Sequence, residues 1–159
     1  MSANYSFVPA VGTLTSSGTA TDTQTVTVGG KVYTFQATLT NVDGNVLIGA
    51  DAAASCQNLY DAINLSGTVG TQYATAMTAN TRVWATAVTA TTVVVKALTP
   101  GEVGNLIAST ETLTNFAWGT TVLASGAGNF TAWAQALIAG SQVNADVAGA
   151  LLALTAKWD

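Results

Sequence analysis

The sequence predicts an α+β fold: antiparallel β-hairpins packed on one central helix, followed by a C-terminal helical hairpin. Three stretches carry that reading. In "TVTVGGKVYTF", residues 25–35, apolar and polar residues alternate on both sides of Gly29-Gly30, the period-two signature of a half-buried hairpin. From Asp51 to about Leu65 apolar residues recur at helical spacing, as a helix with one buried stripe requires. Past Gly128 the helical spacing returns, first through Phe130, Trp133 and Leu137, then through Val143, Val147, Leu151, Leu154 and Trp158. The chain accordingly divides into an extended N-terminal arm (1–22), an α+β structural domain (23–124) and the helical hairpin (125–159).

The arm is polar and rich in Gly, Thr and Ser, with Phe7, Val8 and Val11 as its early apolar cluster. A polar arm of this kind needs a surface to lie on. In the hairpin, Gly29 and Gly30 supply the positive-φ positions of a two-residue turn. Counting outward pairs Val28 with Lys31, Val26 with Tyr33 and Gln24 with Phe35. Val26, Val28, Tyr33 and Phe35 then share the core face, and Thr25, Thr27, Val32 and Thr34 share the other. "NVDGN", residues 41–45, is a turn with Asx chemistry, and Val46-Leu47-Ile48 is a short apolar run. Asp51 caps the helix. Its buried stripe is Ala52, Cys56, Leu59 and Ile63, with Ser55, Gln57, Asn58 and Asp61 opposite and Gly67 and Gly70 past its end. The β signal returns in "QYATAM", "RVWATAV" and "TVVVKAL", the last two joined by a turn near Thr89–Thr92. Pro100–Asn105 is a breaker-rich loop, further short strands surround Phe116 and Trp118, and Ser125–Gly128 reads as a linker.

Charged residues are only 8% of the chain, against about 25% in an ordinary soluble domain. Thr, Ser, Ala, Asn and Gly take their place on the surface. Such a surface costs little to desolvate, since few ions must give up water, and it suits burial against other copies or partners. The alternative is a stable β domain with a neutral, Thr-rich skin. The cations Lys31, Arg82, Lys96 and Lys157 are scattered, and the net charge is −4. A nucleic-acid footprint requires clustered Lys and Arg, so none is expected. Histidine is absent, which removes the commonest general acid–base group and metal ligand. The single cysteine, Cys56, cannot close an internal disulfide. No secretory leader and no apolar run long enough to span a membrane is read from the sequence.

The segments "VTVGGKVYTF", "VLIGADAAASCQNLYDAIN" and "VVVKALTPGEVGNLIASTETLTNFAWG" together resemble a module of structural proteins of tailed bacteriophages and prophages. Its pattern is a Gly-Gly-Lys-x-Tyr-Thr-Phe hairpin, an Ala-rich helix ending in Ala-x-Asn, an alternating β pair and a closing Gly-x-x-Gly-Asn. A similar hairpin–helix–hairpin arrangement belongs to contractile tail sheath proteins of the phage Mu type. The resemblance covers roughly residues 20–124 and stops short of the helical tail, 128–159. It implies a non-enzymatic virion structural protein made in the bacterial host cytoplasm. Such a protein would be a decoration or accessory protein of head or tail that assembles with its own copies and other virion proteins. A receptor- or glycan-binding module of a fibre is the alternative. No cofactor, small-molecule substrate, nucleic acid or membrane partner is implied.

The candidate residues are structural ones. Gly29, Gly30, Gly101 and Gly104 serve turns. Val26, Tyr33, Phe35, Cys56, Leu59 and Ile63 form the core, Tyr33 and Phe35 facing Leu59 and Ile63 of the helix. Phe7, Trp133, Leu151 and Trp158 are candidate interface residues. Asp43 in "NVDGN" lacks the spaced carboxylates of a calcium loop. "PGEVGN" lacks the following helix of a phosphate loop. Asp51 and Asp61 sit on different helix faces and do not converge as a catalytic pair must. Cys56 lies on the apolar stripe, where a thiol is inert. Trp84, Trp118, Trp133 and Trp158 read as core or interface anchors before glycan platforms. No catalytic, cofactor or metal site is expected.

Overall fold

The computed structural model describes residues 7–128. Within them lie β1 (Val11–Ser16), β2 (Thr25–Val28), β3 (Lys31–Gln36), β4 (Asn45–Leu47), α1 (Ala52–Asn64), β5 (Val83–Val88), β6 (Thr92–Ala97), a 3₁₀ turn (Glu102–Leu106), β7 (Ser109–Glu111) and β8 (Phe116–Trp118). The class is α+β, mostly strand, with one helix among the described residues. The expected C-terminal helical hairpin, with Trp133, Leu151 and Trp158, lies outside them.

The strands form two four-stranded sheets, ordered β5-β6-β1-β8 and β4-β3-β2-β7. Alternation sets which residues point inward. Leu14 of β1, Val26 and Val28 of β2, Tyr33 and Phe35 of β3, and Val93 and Val95 of β6 are all fully buried in one core. The rings of Phe35 and Phe116 meet across the two sheets at 5.8 Å. On one side the sheets are stitched together: Ser109 N donates to Thr121 O and Leu123 N to Ile107 O, both at 2.9 Å. On the other side α1 fills the gap, packing on β5 of one sheet and β4 of the other.

The central hairpin forms as its sequence demands. Val26 pairs with Tyr33 and Val28 with Lys31, and Phe35 N donates to Gln24 O at 2.9 Å. Gly29 and Gly30 have φ of 62° and 81°, left-handed values that glycine adopts at little steric cost. Asp51 caps α1, its carboxylate accepting from Ala54 N at 2.8 Å. The helix closes at Leu65 in the left-handed conformation, ahead of Gly67 and Gly70.

Five expectations are corrected. The first concerns the arm. Residues 11–16 are an inner strand of a sheet, paired with β6 on one side and β8 on the other. The pairing extends outward, Val8 exchanging two backbone hydrogen bonds with Ala127. The strand was hidden because its inward positions hold Gly12 and Ser16 beside Leu14. Gly12 leaves the space that Leu123 and Trp118 occupy, 3.2–3.3 Å from where a Cβ would stand. Second, Ser125–Gly128 is no linker, since 124–127 continue this pairing, and the boundaries expected at 22 and 124 do not divide the described residues.

Third, the pairing is not all antiparallel. β4 runs parallel to β3, reached through the short connection 37–44. Fourth, "QYATAM" forms only isolated bridges at Tyr73, to Val46 and Val69. Fifth, the polar face of α1 is not solvated: Ser55, Asn58 and Asp61 are buried. α1 packs chiefly on β5, and on β4 and β6, and the hairpin's Phe35 meets Phe116 with the rings tilted by 39°.

Because Leu14 is wholly buried, Leu14→Ala is expected to cost about 2–5 kcal/mol of unfolding free energy. Denaturant unfolding measures it, and an unchanged midpoint would mean that residues 11–16 are an appendage.

Candidate functional site

A chain poor in ions must satisfy buried backbone groups by other means. Here side-chain amides do it. Asn64, at the end of α1, donates its Nδ2 to Ala85 O and accepts from Ala85 N, both at 2.9 Å. The amide thus occupies the place of a neighbouring strand along the outer edge of β5. Asn80 is buried and donates to Val28 O at 3.0 Å and to the Tyr33 hydroxyl at 3.3 Å. Its Oδ1 accepts from Arg82 N and Val83 N, so it ties the β2–β3 turn to the start of β5. Gly29 faces this loop, its absent Cβ lying 3.0 Å from Arg82 Cβ. Asn105 repeats the device, donating to Gly126 O at 3.0 Å and accepting from Gly126 N at 2.8 Å.

A second cluster gathers at the C-terminal end of α1. The buried Asp61 carboxylate accepts from Gln57 Nε2 (3.0 Å), Gln72 Nε2 (2.7 Å) and Ser66 Oγ (2.8 Å). Gln72 also donates to Asn58 Oδ1, and Asn58 donates to Leu47 O at 2.9 Å. All these side-chain donors are neutral. The "NVDGN" turn forms the third cluster. Asn41 accepts from Ala76 N, and Asp43 accepts from Thr78 N, Thr78 Oγ1 and Lys31 Nζ at 2.7–2.8 Å. The turn therefore pins residues 74–78 to the hairpin. Among the described residues no buried side-chain N or O atom lacks a hydrogen-bond partner.

The candidate residues land as follows. Val26, Tyr33, Phe35, Cys56 and Leu59 are fully buried and Ile63 nearly so. Burial pushes the Tyr33 hydroxyl up to about 12 and the Cys56 thiol up to about 11, so the thiol carries no thiolate at neutral pH. Gly101 has φ of 103°. Gly104 admits close packing, a Cβ there falling 2.8 Å from Ala10 Cβ. Asn105 clamps Gly126. In "PGEVGN" the N–H groups of Gly101, Glu102 and Gly104 donate to Val8, Gly128 and Gly101 carbonyls, so they face no external anion. Phe7 is half-buried beside Gly101. Trp118 packs on the core and donates to Thr110 O. Trp84 stands on the outer face of β5, 49% exposed, opposite Lys96.

No group of three or more metal-ligating side chains gathers among the described residues, and no helix there is long and apolar enough to cross a membrane. A hollow of about 80 Å³ lies against Arg82, Thr99 and Val103, well below the several hundred Å³ of a small-molecule site. The site residues that sequence reasoning missed are the amides, Asn45, Asn58, Asn64, Asn80, Asn105 and Gln72. Asn64, as the last residue of the Ala-x-Asn pattern, and Asn105, as the last of Gly-x-x-Gly-Asn, carried a signal. In the comparisons with known proteins, no family model, curated protein or solved structure matches the chain.

Asn64→Ala leaves the Ala85 N–H and C=O without their partner, and the expected loss is about 1–3 kcal/mol, read from denaturant midpoints. The hydrogen bond from Lys31 holds the Asp43 carboxyl down at about 2, against 3.8 ordinarily. A folded value below the unfolded one contributes stability that is complete above about pH 4 and fades as the pH falls toward 2. With Asp43 47% exposed, solvent screening limits this to at most about 1 kcal/mol. In Lys31→Ala the difference in unfolding free energy from wild type should shrink over that window and stay constant above it.

Proposed function

We propose that the chain is a bacteriophage virion structural protein, a non-enzymatic decoration or accessory protein of the head or tail that assembles with other virion subunits. The observation that carries this reading is the contrast between a fully satisfied interior and an ion-poor exterior. The described fold closes its own buried polar groups largely with amides and shows the solvent mostly Thr and Ala. Such a surface gives up little hydration on contact, and interface cores are depleted of charge in the same way. The hairpin, helix and Gly-x-x-Gly-Asn motifs, through their resemblance to phage structural modules, support the same class. Asp22, Asp43, Asp51 and Asp61 hold backbone and side-chain donors and the Cys56 thiol is buried in the core, which favours a structural role for these groups over a catalytic one.

Trp84 favours the second reading, a receptor- or glycan-binding module of a fibre, since an exposed indole can stack on a sugar ring. A glycan array on which binding is lost in Trp84→Ala would support that reading, and an array without hits would remove it.

Mass spectrometry and immunogold labelling of purified particles test the main proposal. The expected result is the protein in fixed stoichiometry on head or tail. Particles that lack it, together with a stable monomer in solution, would overturn the proposal.

A further inference from the structure

The outer face of the sheet β5-β6-β1-β8 brings an indole and two cations together. Val83 and Ala85 of β5 and Val95 and Ala97 of β6 are buried, so the alternate residues of both strands point outward. Trp84 pairs with Lys96, and the ladder runs one step further, Leu98 N donating to Arg82 O at 2.9 Å. Arg82, Trp84, Lys96 and Leu98 therefore share one face as two directly opposed pairs, close enough for their side chains to act on one ligand. Trp84 is 49% and Leu98 51% exposed, and Arg82 is exposed as well.

The charge on this face has one sign. The described residues hold three cations, Lys31, Arg82 and Lys96. Lys31 is taken up by Asp43, and the other two form no salt bridge among the described residues. β5, β6, β1 and β8 contain no Asp or Glu, and Glu102 lies in the 3₁₀ turn past the strand ends. In a chain of net charge −4 the face is thus locally positive. Beside it, the hollow of about 80 Å³ is lined by Arg82, Thr81 and Thr99. It has room for several waters, hence for one carboxylate or phosphate group, and not for a whole sugar ring.

We propose that Trp84, Arg82 and Lys96 form a binding site for an anionic saccharide, a sugar bearing a carboxylate or a phosphate. This gives the glycan reading above its ligand class and rests on that reading. The sugar ring lies on the Trp84 indole. Arg82 stands two residues along the strand, about 7 Å away, a spacing that one ring and its charged substituent bridge. Its planar guanidinium takes the anionic group through paired hydrogen bonds, with the Thr81 and Thr99 hydroxyls at the same hollow. Lys96, opposite Trp84, adds the second positive charge. An acidic peptide fits less well, because an extended peptide gains most by adding to a sheet edge. Asn64 and Asn80 close that part of the β5 edge at Ala85 and Val83. A polynucleotide requires more cations than these two.

A glycan array carrying neutral oligosaccharides, uronic-acid oligosaccharides and sugar phosphates, probed with the full chain, tests the proposal. Binding is expected on the acidic sets and not on the neutral one, and the set that binds more tightly separates carboxylate from phosphate. Trp84→Ala and Arg82→Gln should each weaken binding about tenfold or more with an unchanged thermal midpoint. Lys96→Gln should weaken it less, and Lys31→Gln should leave it unchanged. Acidic hits indifferent to Trp84→Ala and Arg82→Gln, or equally tight binding of poly-glutamate, would overturn the proposal. Hits confined to neutral glycans and lost in Trp84→Ala overturn the anionic site and leave the glycan reading standing. An array without hits removes both.

Discussion

The fold depends on side-chain amides that stand in for missing backbone partners. Asn64 completes the outer edge of β5 at Ala85, Asn105 completes the strand path at Gly126, and Asn80 joins the hairpin turn to Val83. An amide presents one donor and one acceptor in a plane, as a peptide group does. It can therefore close a strand edge without bringing in a charge. Ions would do the same work at higher cost, because a buried ion must be desolvated as well as paired.

This choice of chemistry connects the interior to the surface. Even the buried Asp61 is held by the neutral donors Gln57, Ser66 and Gln72. One salt bridge, Lys31 to Asp43, is found among the described residues, and it reinforces a turn that Thr78 also ties down. With the polar interior closed by amides and hydroxyls, stability needs no network of surface charge. The exterior is left poor in ions. The capped edge of β5 also has a consequence for assembly. With Asn64 and Asn80 on Ala85 and Val83, that part of the edge offers no open ladder for strand addition.

Local patterns in the chain sufficed for the central hairpin and for α1. Gly29-Gly30, the alternation from Thr25 to Phe35 and the cap at Asp51 each act within a few residues, so each could be read without knowing the rest of the fold. The core residues Val26, Tyr33, Phe35, Cys56, Leu59 and Ile63 followed from those periods. β1 could not be read in this way. Its inward positions alternate Gly12, Leu14 and Ser16, and the volume that Gly12 omits is supplied by Leu123 and Trp118 from a strand path more than a hundred residues away. Neither the tie made by Asn80 nor the clamp made by Asn105 announces itself locally either, because Val28 and Gly126 come within reach only after the sheets have formed.

By itself, then, the sequence determined the hairpin, the helix, the buried stripe and the near-absence of charge. These rest on backbone propensity and side-chain period, which are properties of neighbours in the chain. Tertiary structure alone decided that residues 11–16 lie inside a sheet, that β4 runs parallel to β3, and that the polar face of α1 turns inward. It also decided which amides become clamps. Those outcomes depend on whether a distant backbone group or an empty volume arrives at the right place, and no local pattern carries that information.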